Sequence, residues 1–402
     1  MKILFACHRL PFPPKRGGKI RPFNIIRHLN GQGHQVTVLS LARSAEEIAE
    51  GQGLNEYCER VIVGEVGFAG AAFQMIGRLA TTLPSSFGYF YSRRLHQQAA
   101  RLAAEEEFDL VFVHCSSAAQ YVRRVSGVPA VIDFGDMDSQ KWKDYRSFKP
   151  FPLNVGYGLE AFKLLREEKR LARLFDLSTC TTRMELETLD DYRAAQKTAW
   201  FPNGVDAAFF EPTSEPYDKN GVCFIGRMDY YPNQQAMLEF CRGVYPELRR
   251  RRPEVTLTIV GAEPSRDILR LGELPGVTVT GTVPDVRDYV RRAAVTVAPL
   301  QIARGTQNKI LESMAMGVPV VCSTLASRGV DAVPGDHLVV ADSDDEWVSA
   351  ILSLLEAPEK RRELAEAGRA RVLSNHSWSA SMQKLDGILG ELVGAPATER
   401  AS

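Results

Sequence analysis

The sequence predicts an α/β protein of two doubly wound, Rossmann-like parallel-sheet domains facing across a cleft, and three observations predict it. Short apolar runs rich in Val, Ile and Phe alternate with segments of helical periodicity along nearly the whole chain. The alternation starts twice, at Lys2–Cys7 and again at Val222–Ile225, with a Pro/Gly-rich break between. The chain's 402 residues are enough for two domains of ordinary size.

Taken in order, Lys2–Cys7 reads as a strand, followed by the loop HRLPFPPKRGGK. A helix then carries Ile20, Phe23, Ile26 and Leu29 on one face, and Gln35–Leu41 is the next strand. Gly17 and Gly18 stand at that helix entrance, where the lack of a side chain lets backbone approach a ligand closely. A helix over Ala45–Tyr57, a strand over Arg60–Val63, a long helical region and a strand over Phe108–His114 follow. Within that helical region, Phe68–Leu95 crowds aromatic and apolar residues against Arg93-Arg94, a composition suited to a bilayer interface or to a lipid-linked acceptor. Ala130–Phe134 is a strand whose carboxyl end opens into the loop GDMDSQKWKDY. Ligands of open α/β sheets bind beyond such ends, so Asp133, Asp136 and Asp138 are placed to meet a substrate. An amphipathic helix over Gly156–Phe175 and a strand over Ser178–Thr182 complete the first series.

FPNGVDAAFFEP and the polar run Glu211–Gly221 mark the change of domain. The first domain is read as residues 1–200 completed by a C-terminal helix over 377–395, the second as 201–376. In the second, a helix over Pro232–Arg250 follows the opening strand, and strands are read at Val255–Val260, Val277–Thr280, Val295–Leu300, Val318–Cys322 and Leu338–Val340. The stretch APLQIARGTQNKILESMAMGVPVVCS is a strand–loop–helix–strand unit with Gly305 in its loop and Gly317 as its helix stop. A helix start after Gly305 and Asn308 offers free N–H groups and a positive dipole end, which suits a diphosphate. Lys309 and Glu312, three apart, share a helix surface: one to neutralise a phosphate, the other to accept from two ribose hydroxyls.

Composition sets outer bounds. The hydrophobic and charged fractions, 45% and 24%, are those of a globular chain. Basic and acidic residues number 49 each, so no overall field favours nucleic acid. Basic groups gather locally at Lys15–Arg21, Arg93–Arg94 and Arg249–Arg252. The cysteines are scattered without a C-x-x-C pair, and Cys7, Cys180, Cys223 and Cys322 fall in apolar runs, as reduced, packed thiols do. Neither a disulfide framework nor a zinc site is indicated, and the N-terminal apolar run is too short for a signal peptide. The expectation is a soluble cytoplasmic protein that still has the means to touch a membrane surface.

Several motifs together resemble the retaining GT-B glycosyltransferases of family 4. They are the P-x-x-x-G-G-x-x-R loop (Pro13, Gly17, Gly18, Arg21), GHQVTVLS, FPNGVD, the F-I-G-R opening of the second domain (Phe224–Arg227), and K-I-L-E-S-M-A-M-G-V-P-V-V. FIGRMDYYPNQQA and ARGTQNKILESMAMG resemble more narrowly the exosortase-associated sugar transferases of bacterial exopolysaccharide loci. The resemblance implies a nucleotide-sugar donor on the second domain and a glycan or polyprenyl-linked acceptor on the first. It implies that Arg227 contacts the donor diphosphate, that Glu312 is the second glutamate of an E-x7-E motif, and that Gly17 and Gly18 let the first domain reach the diphosphate. Two departures stand out. Arg304 occupies the place of the first glutamate, and Met228–Gln234 lacks the lysine usual after the phosphate arginine. Lys309 and Arg304 are expected to restore that positive charge.

Charge stabilisation by Arg227, Lys309 and the helix start makes a metal unnecessary, although Asp136-Met137-Asp138 spells D-x-D. No cofactor is expected beyond the donor itself. Asp133 or Asp136 is expected to orient the acceptor hydroxyl or bind the donor sugar, with His8 and His114 as alternatives. The competing readings are a non-hydrolysing nucleotide-sugar epimerase and a sugar-nucleotide-binding partner without catalysis. An NAD-type oxidoreductase is disfavoured because no G-x-G-x-x-G follows the first strand.

Overall fold

A computed structural model describes residues 1–14, 17–122 and 127–394. Lys15 and Arg16, and residue 395 at the expected end of the last helix, lie outside the described residues. Cα packing divides the chain into two compact units. The first takes Met1–Thr181, Glu185–Phe201 and Met382–Ser402, and the second Thr182–Met184 and Pro202–Ser381. The change of unit thus falls at Phe201–Pro202, and the polar run Glu211–Gly221 lies inside the second unit.

The first unit holds a seven-stranded sheet. Its strands are β1 (Lys2–Cys7), β2 (Gln35–Ala42), β3 (Arg60–Glu65), β4 (Leu110–His114), β5 (Ala130–Gly135), β6 (Leu177–Cys180) and β7 (Thr198–Trp200). They pair in parallel in the order β3-β2-β1-β4-β5-β6-β7. Helices cover both faces, so β1 and β4 are buried along nearly their whole length. Phe5 and Phe112, neighbours across β1 and β4, stack at 5.1 Å in the middle of that core. The strand order reverses between β1 and β4, and two crossovers diverging there open a crevice at the carboxyl ends.

The second unit repeats the plan with six strands: β8 (Asp218–Ile225), β9 (Thr256–Val260), β10 (Val277–Gly281), β11 (Ala293–Ala298), β12 (Val320–Cys322) and β13 (Val339–Val340). Their order is β10-β9-β8-β11-β12-β13, all parallel, with the reversal between β8 and β11.

Three expected elements differ, each for a local reason. Phe68–Leu95 is broken into helices Phe68–Gly77 and Ser85–Tyr89 and the start of Arg93–Glu105, with Pro84 and Ser92 at the two later N-caps. The expected loop GDMDSQKWKDY turns helical from Asp138, and Glu168 accepts from the Ser139 N–H in its first turn. The helix read over Pro232–Arg250 is two, Tyr231–Arg242 and Val244–Arg251, separated at Gly243. A Cβ at Gly243 would lie 2.3 Å from a carboxylate oxygen of the exposed Asp344, which brings the start of the helix Asp344–Glu356 beside that break.

The expected basic clusters also change character. Arg21 is 2% exposed and adds nothing to a basic surface, whereas Arg250 and Arg251 pair with Glu247 and remain exposed. All seven cysteines are free, and six of them are buried. Among the described residues, no helix is long and apolar enough to cross a membrane.

One close approach fixes the turn after β8. A Cβ at Gly261 would stand 1.8 Å from the Gly226 carbonyl oxygen, and one at Gly226 would meet the Asn233 amide at 2.7 Å. Gly261→Ala should therefore displace the Gly226–Arg227 turn and destabilise the second unit by about 1–3 kcal/mol, as overpacking does. A urea unfolding curve unchanged from wild type would show that the turn has room to move.

Candidate functional site

At the carboxyl ends of β4 and β5, the first unit buries a charged cluster. The Arg21 guanidinium donates to Asp133 in a fork, Nε to Oδ2 at 2.8 Å and Nη2 to Oδ1 at 2.9 Å. Thr179 Oγ1 donates to the same Oδ1 at 3.0 Å, and His114 Nδ1 lies 2.8 Å from Oδ2. Burial alone would raise the Asp133 pKa, but the Arg21 charge and the hydrogen bonds from Arg21 and His114 hold it well below the usual carboxylate range. The carboxylate is therefore ionised, so His114 carries its proton on Nδ1 and turns Nε2 away from the aspartate. Arg21 also donates to the Phe201 carbonyl at 3.1 Å and stacks 3.7 Å over the Phe201 ring.

Each Asp133 oxygen thus has two partners, and the side chain is fully buried. Contrary to the expectation for it, Asp133 has no free lone pair for an acceptor hydroxyl; it is a positioning residue that locks Arg21 and His114. Asp136 is partly exposed and accepts from Thr181 Oγ1 at 2.9 Å. His8, after β1, packs edge-on against Phe90, with its ring centroid 6.2 Å from that of His114. Desolvation, with the charge of Arg9, holds its pKa well below the ordinary histidine value, so His8 is neutral at pH 7.

The second unit places its cluster at the carboxyl ends of β8 and β11. Beyond β11 the chain runs through Gly305, whose φ of +63° is the left-handed conformation glycine favours, into the helix Asn308–Ala315. No side chain caps that helix at its N-terminus. Thr306 Oγ1 and Asn308 Oδ1 are buried there without a hydrogen-bond partner. Lys309 Nζ donates to Asn233 Oδ1 at 2.9 Å and sits 5.3 Å from the Phe224 ring centre. Asn233 in turn donates to the Arg227 carbonyl at 2.8 Å. The Glu312 carboxylate, partly exposed, makes no hydrogen bond or ion pair among the described residues. Desolvation, partly offset by each other's charge, pushes Lys309 down to about 8 and Glu312 up to about 7.

Arg227 is half exposed and already paired, in a fork to Asp229 at 3.0 and 2.8 Å and to Glu263 at 3.0 Å. The hydrogen bonds and charges of those acids raise its pKa, so it stays cationic. Asn233, on the helix Tyr231–Arg242, thus ties the Lys309 ammonium to the backbone carbonyl of Arg227. Gly17 and Gly18 open the helix Gly17–Gly31; a Cβ at Gly17 would meet nothing within 4 Å, and one at Gly18 only Arg9 Cδ at 3.8 Å. Among the described residues, nothing stands close enough to forbid a side chain at either glycine. The Arg304 carbonyl accepts from Gln307 Nε2 at 3.1 Å, which folds the loop ahead of the helix.

Sequence reasoning missed Asn233, Glu263 and the ordering of His114 by Asp133. A signal existed for Asn233, an amide in the first turn of a helix that follows F-I-G-R directly. None existed for the pairing of Asp133 with Arg21, since each reads locally as an ordinary charged residue.

Two family models match the chain: Glycosyltransferase Family 4 over residues 16–209, and Glycosyl transferases group 1 over residues 219–357. A D-inositol 3-phosphate glycosyltransferase of Segniliparus rotundus is 28% identical over 253 residues, 57% of this chain and 55% of that relative. The chain thus spans about half the length of that relative. An uncharacterized 44.6 kDa protein in a cps region of Klebsiella pneumoniae is 20% identical, over 90% of this chain and 93% of its own. The crystal structure of Anabaena HepE in complex with UDP superposes with a TM-score of 0.69 at 16% identity, covering 98% of this chain and 100% of that one, a likeness of fold.

The Asp133 cluster yields a stability prediction. Asp133→Ala leaves the Arg21 charge buried without its partner and should cost about 3–5 kcal/mol. The depressed pKa of Asp133 means its contribution is full above the unfolded-state value and is lost as pH falls below the ordinary aspartate range. Urea titration at neutral pH should show the loss, and the variant should be missing that part of the wild-type acid destabilisation. Equal midpoints for the two proteins would refute the assignment.

Proposed function

Because this chain belongs to the family 4, group 1 glycosyltransferases of GT-B fold, we propose that it moves a sugar from a nucleotide-diphospho-sugar to a glycan or polyprenyl-linked acceptor. The observation that carries this reading is the unmatched polarity around the helix Asn308–Ala315: an open Glu312 carboxylate, the Lys309 ammonium, two orphaned buried oxygens and an uncapped N-terminus. Such groups together ask for a ligand with both hydroxyls and negative charge.

In this reading Glu312 accepts hydrogen bonds from the ribose hydroxyls of the donor. Lys309 and the helix N-terminus meet the diphosphate, whose charge grows as the bond from the sugar carbon to the phosphate oxygen breaks. Lys309 touches Asn233, inside the segment Met228–Gln234 that lacks a base of its own, which supports its standing in for the absent lysine. Arg227 exchanges Asp229 and Glu263 for phosphate oxygens, and Arg304 adds charge where a carboxylate would have met the sugar hydroxyls. The side-chain-free Gly17 and Gly18 serve a diphosphate approaching their backbone. His114, held by Asp133, and Asp136 act on the acceptor side. Retention of anomeric configuration follows from the family resemblance. A place in exopolysaccharide biosynthesis follows from the resemblance to the exosortase-associated branch, and the cps setting of the Klebsiella relative supports it.

Thermal-shift titration against UDP, GDP, ADP and dTDP should single out one nucleotide, since a ligand that binds the folded state raises its stability by mass action. Glu312→Gln should weaken that binding about ten- to hundredfold, the worth of hydrogen bonds to a charged acceptor. Supplied with the matching sugar nucleotide, wild type should release the nucleoside diphosphate, and Lys309→Met should slow release about a hundredfold or more. Nucleotide binding without any turnover would identify a binding partner that lacks catalysis, and interconversion of the free donor would identify an epimerase.

The Lys309 pKa sets a pH dependence. A bound diphosphate favours the charged ammonium, so the Lys309 contribution is full below pH about 8 and is lost as pH rises beyond it, while the Glu312 carboxylate is lost as an acceptor as pH falls through about 7; affinity should fall on both sides of that interval. Lys309→Met should bind more weakly and show no fall on the alkaline side. Calorimetric titration across that range checks both.

A further inference from the structure

The first unit carries an apolar face that its own fold leaves uncovered. On the helix Phe68–Gly77 and just beyond it, Phe73 is 79% exposed, Ile76 62% and Leu79 56%. On the long helix Leu153–Leu174, Val155, Leu159 and Phe162 are exposed at positions that form one stripe. Lys163 joins the two groups: its ammonium donates to the Arg78 and Leu79 carbonyls at 3.1 and 2.9 Å, which sets the end of the first helix beside the stripe. Large aromatic side chains held this far out of a core mark a contact surface when they gather.

The charge pattern identifies what the surface meets. Between Glu65 and Glu105 the sequence has no acidic residue, while it has Arg78, Arg93, Arg94 and Arg101. Between Asp144 and Glu160 it again has none, while it has Arg146 and Lys149. Glu160, the first acid along the long helix, is 4% exposed and accepts the Ser85 and Ser86 N–H groups at 2.9 and 2.8 Å, so it adds little surface charge. Arg93 and Arg94 are exposed, two residues past Tyr91, whose carbonyl accepts from Gln74 on the same helix as Phe73 and Ile76. In a chain whose charges balance overall, both apolar segments carry, along their own sequence, cations and no exposed acid. A protein partner's apolar patch has no need of such one-sided charge, whereas an anionic bilayer supplies hydrocarbon and negative head groups together.

We propose that this face docks on an anionic lipid surface, its aromatic side chains entering the head-group boundary and the arginines resting on the phosphates. The attachment is peripheral. It uses none of the residues proposed to hold the donor, so each reading is tested separately.

Co-sedimentation with vesicles decides it. Wild type should bind vesicles of phosphatidylglycerol with phosphatidylethanolamine and largely ignore phosphatidylcholine alone, and added salt should weaken the binding. Phe73→Ser with Ile76→Ser and Phe162→Ser should cut the partition at least about tenfold, and Arg93→Glu with Arg94→Glu should do the same. The charge reversal puts acids at the start of the helix Arg93–Glu105, where the dipole favours them, so it tests docking without loosening that helix. It decides the matter alone if the serine variant fails to fold. Nucleotide thermal shift should be unchanged in both variants. Equal binding by wild type and variants, no binding at all, or a wild-type dimer in sedimentation velocity that the serine variant dissolves would each overturn the proposal, the last in favour of a second copy of the chain.

Discussion

In both units all strands run parallel, and helices close both faces of each sheet. Backbone hydrogen bonding and mostly apolar packing therefore take up the bodies of the central strands, and the charged groups gather toward their carboxyl ends. The carboxyl ends at the two order reversals, between β1 and β4 and between β8 and β11, are where neighbouring crossovers part and leave a crevice. His114 ends β4 with Asp133 beside it on β5, Arg227 follows β8 by two residues, and Lys309 lies in the first turn of the helix after β11. Their chemistry depends on that constraint more than on any single contact.

The two clusters are opposites in their electrostatics. Around Asp133 every acceptor site is occupied, the charge of Arg21 is matched, and the aspartate's pKa falls far below normal. Such a group is scaffold: its value lies in holding a guanidinium and an imidazole in fixed orientation. Around Lys309 and Glu312 both pKa values move toward neutrality, two oxygens lack partners, and the helix start has no cap. Desolvation without matching partners is the mark of a site whose remaining partner arrives as a ligand. Arg227 lies between these extremes, paired with acids yet half exposed, so the phosphate proposed to bind it would have to compete with carboxylates rather than with water alone.

Glycines divide along the same line. Gly226 and Gly261 are explained by the protein's own atoms, which leave no space for a Cβ, and Gly305 by its backbone angle. Gly17 and Gly18 are not explained internally, since a side chain at either would meet open space or one arginine methylene.

Much of the fold was legible because α/β architecture writes itself in short-range periodicity. Strand and helix alternate with different repeats, and the restart at Val222 marks the second sheet. Lys309 and Glu312 were legible as a pair because they share one helix three residues apart. Boundaries at Pro84, Gly243 and Asp138 were misread where a cap or a close approach from a distant segment overrode local pattern. What only the tertiary structure decided are the pairings between distant residues: Arg21 with Asp133, 112 positions apart, and Asn233 with Lys309, 76 apart. The sequence by itself determined the two parallel sheets and the types of charged residue at their ends. Whether each charge is satisfied internally or left open for a ligand depends on which distant ends the fold brings together, and contacts across such separations leave no period in the chain.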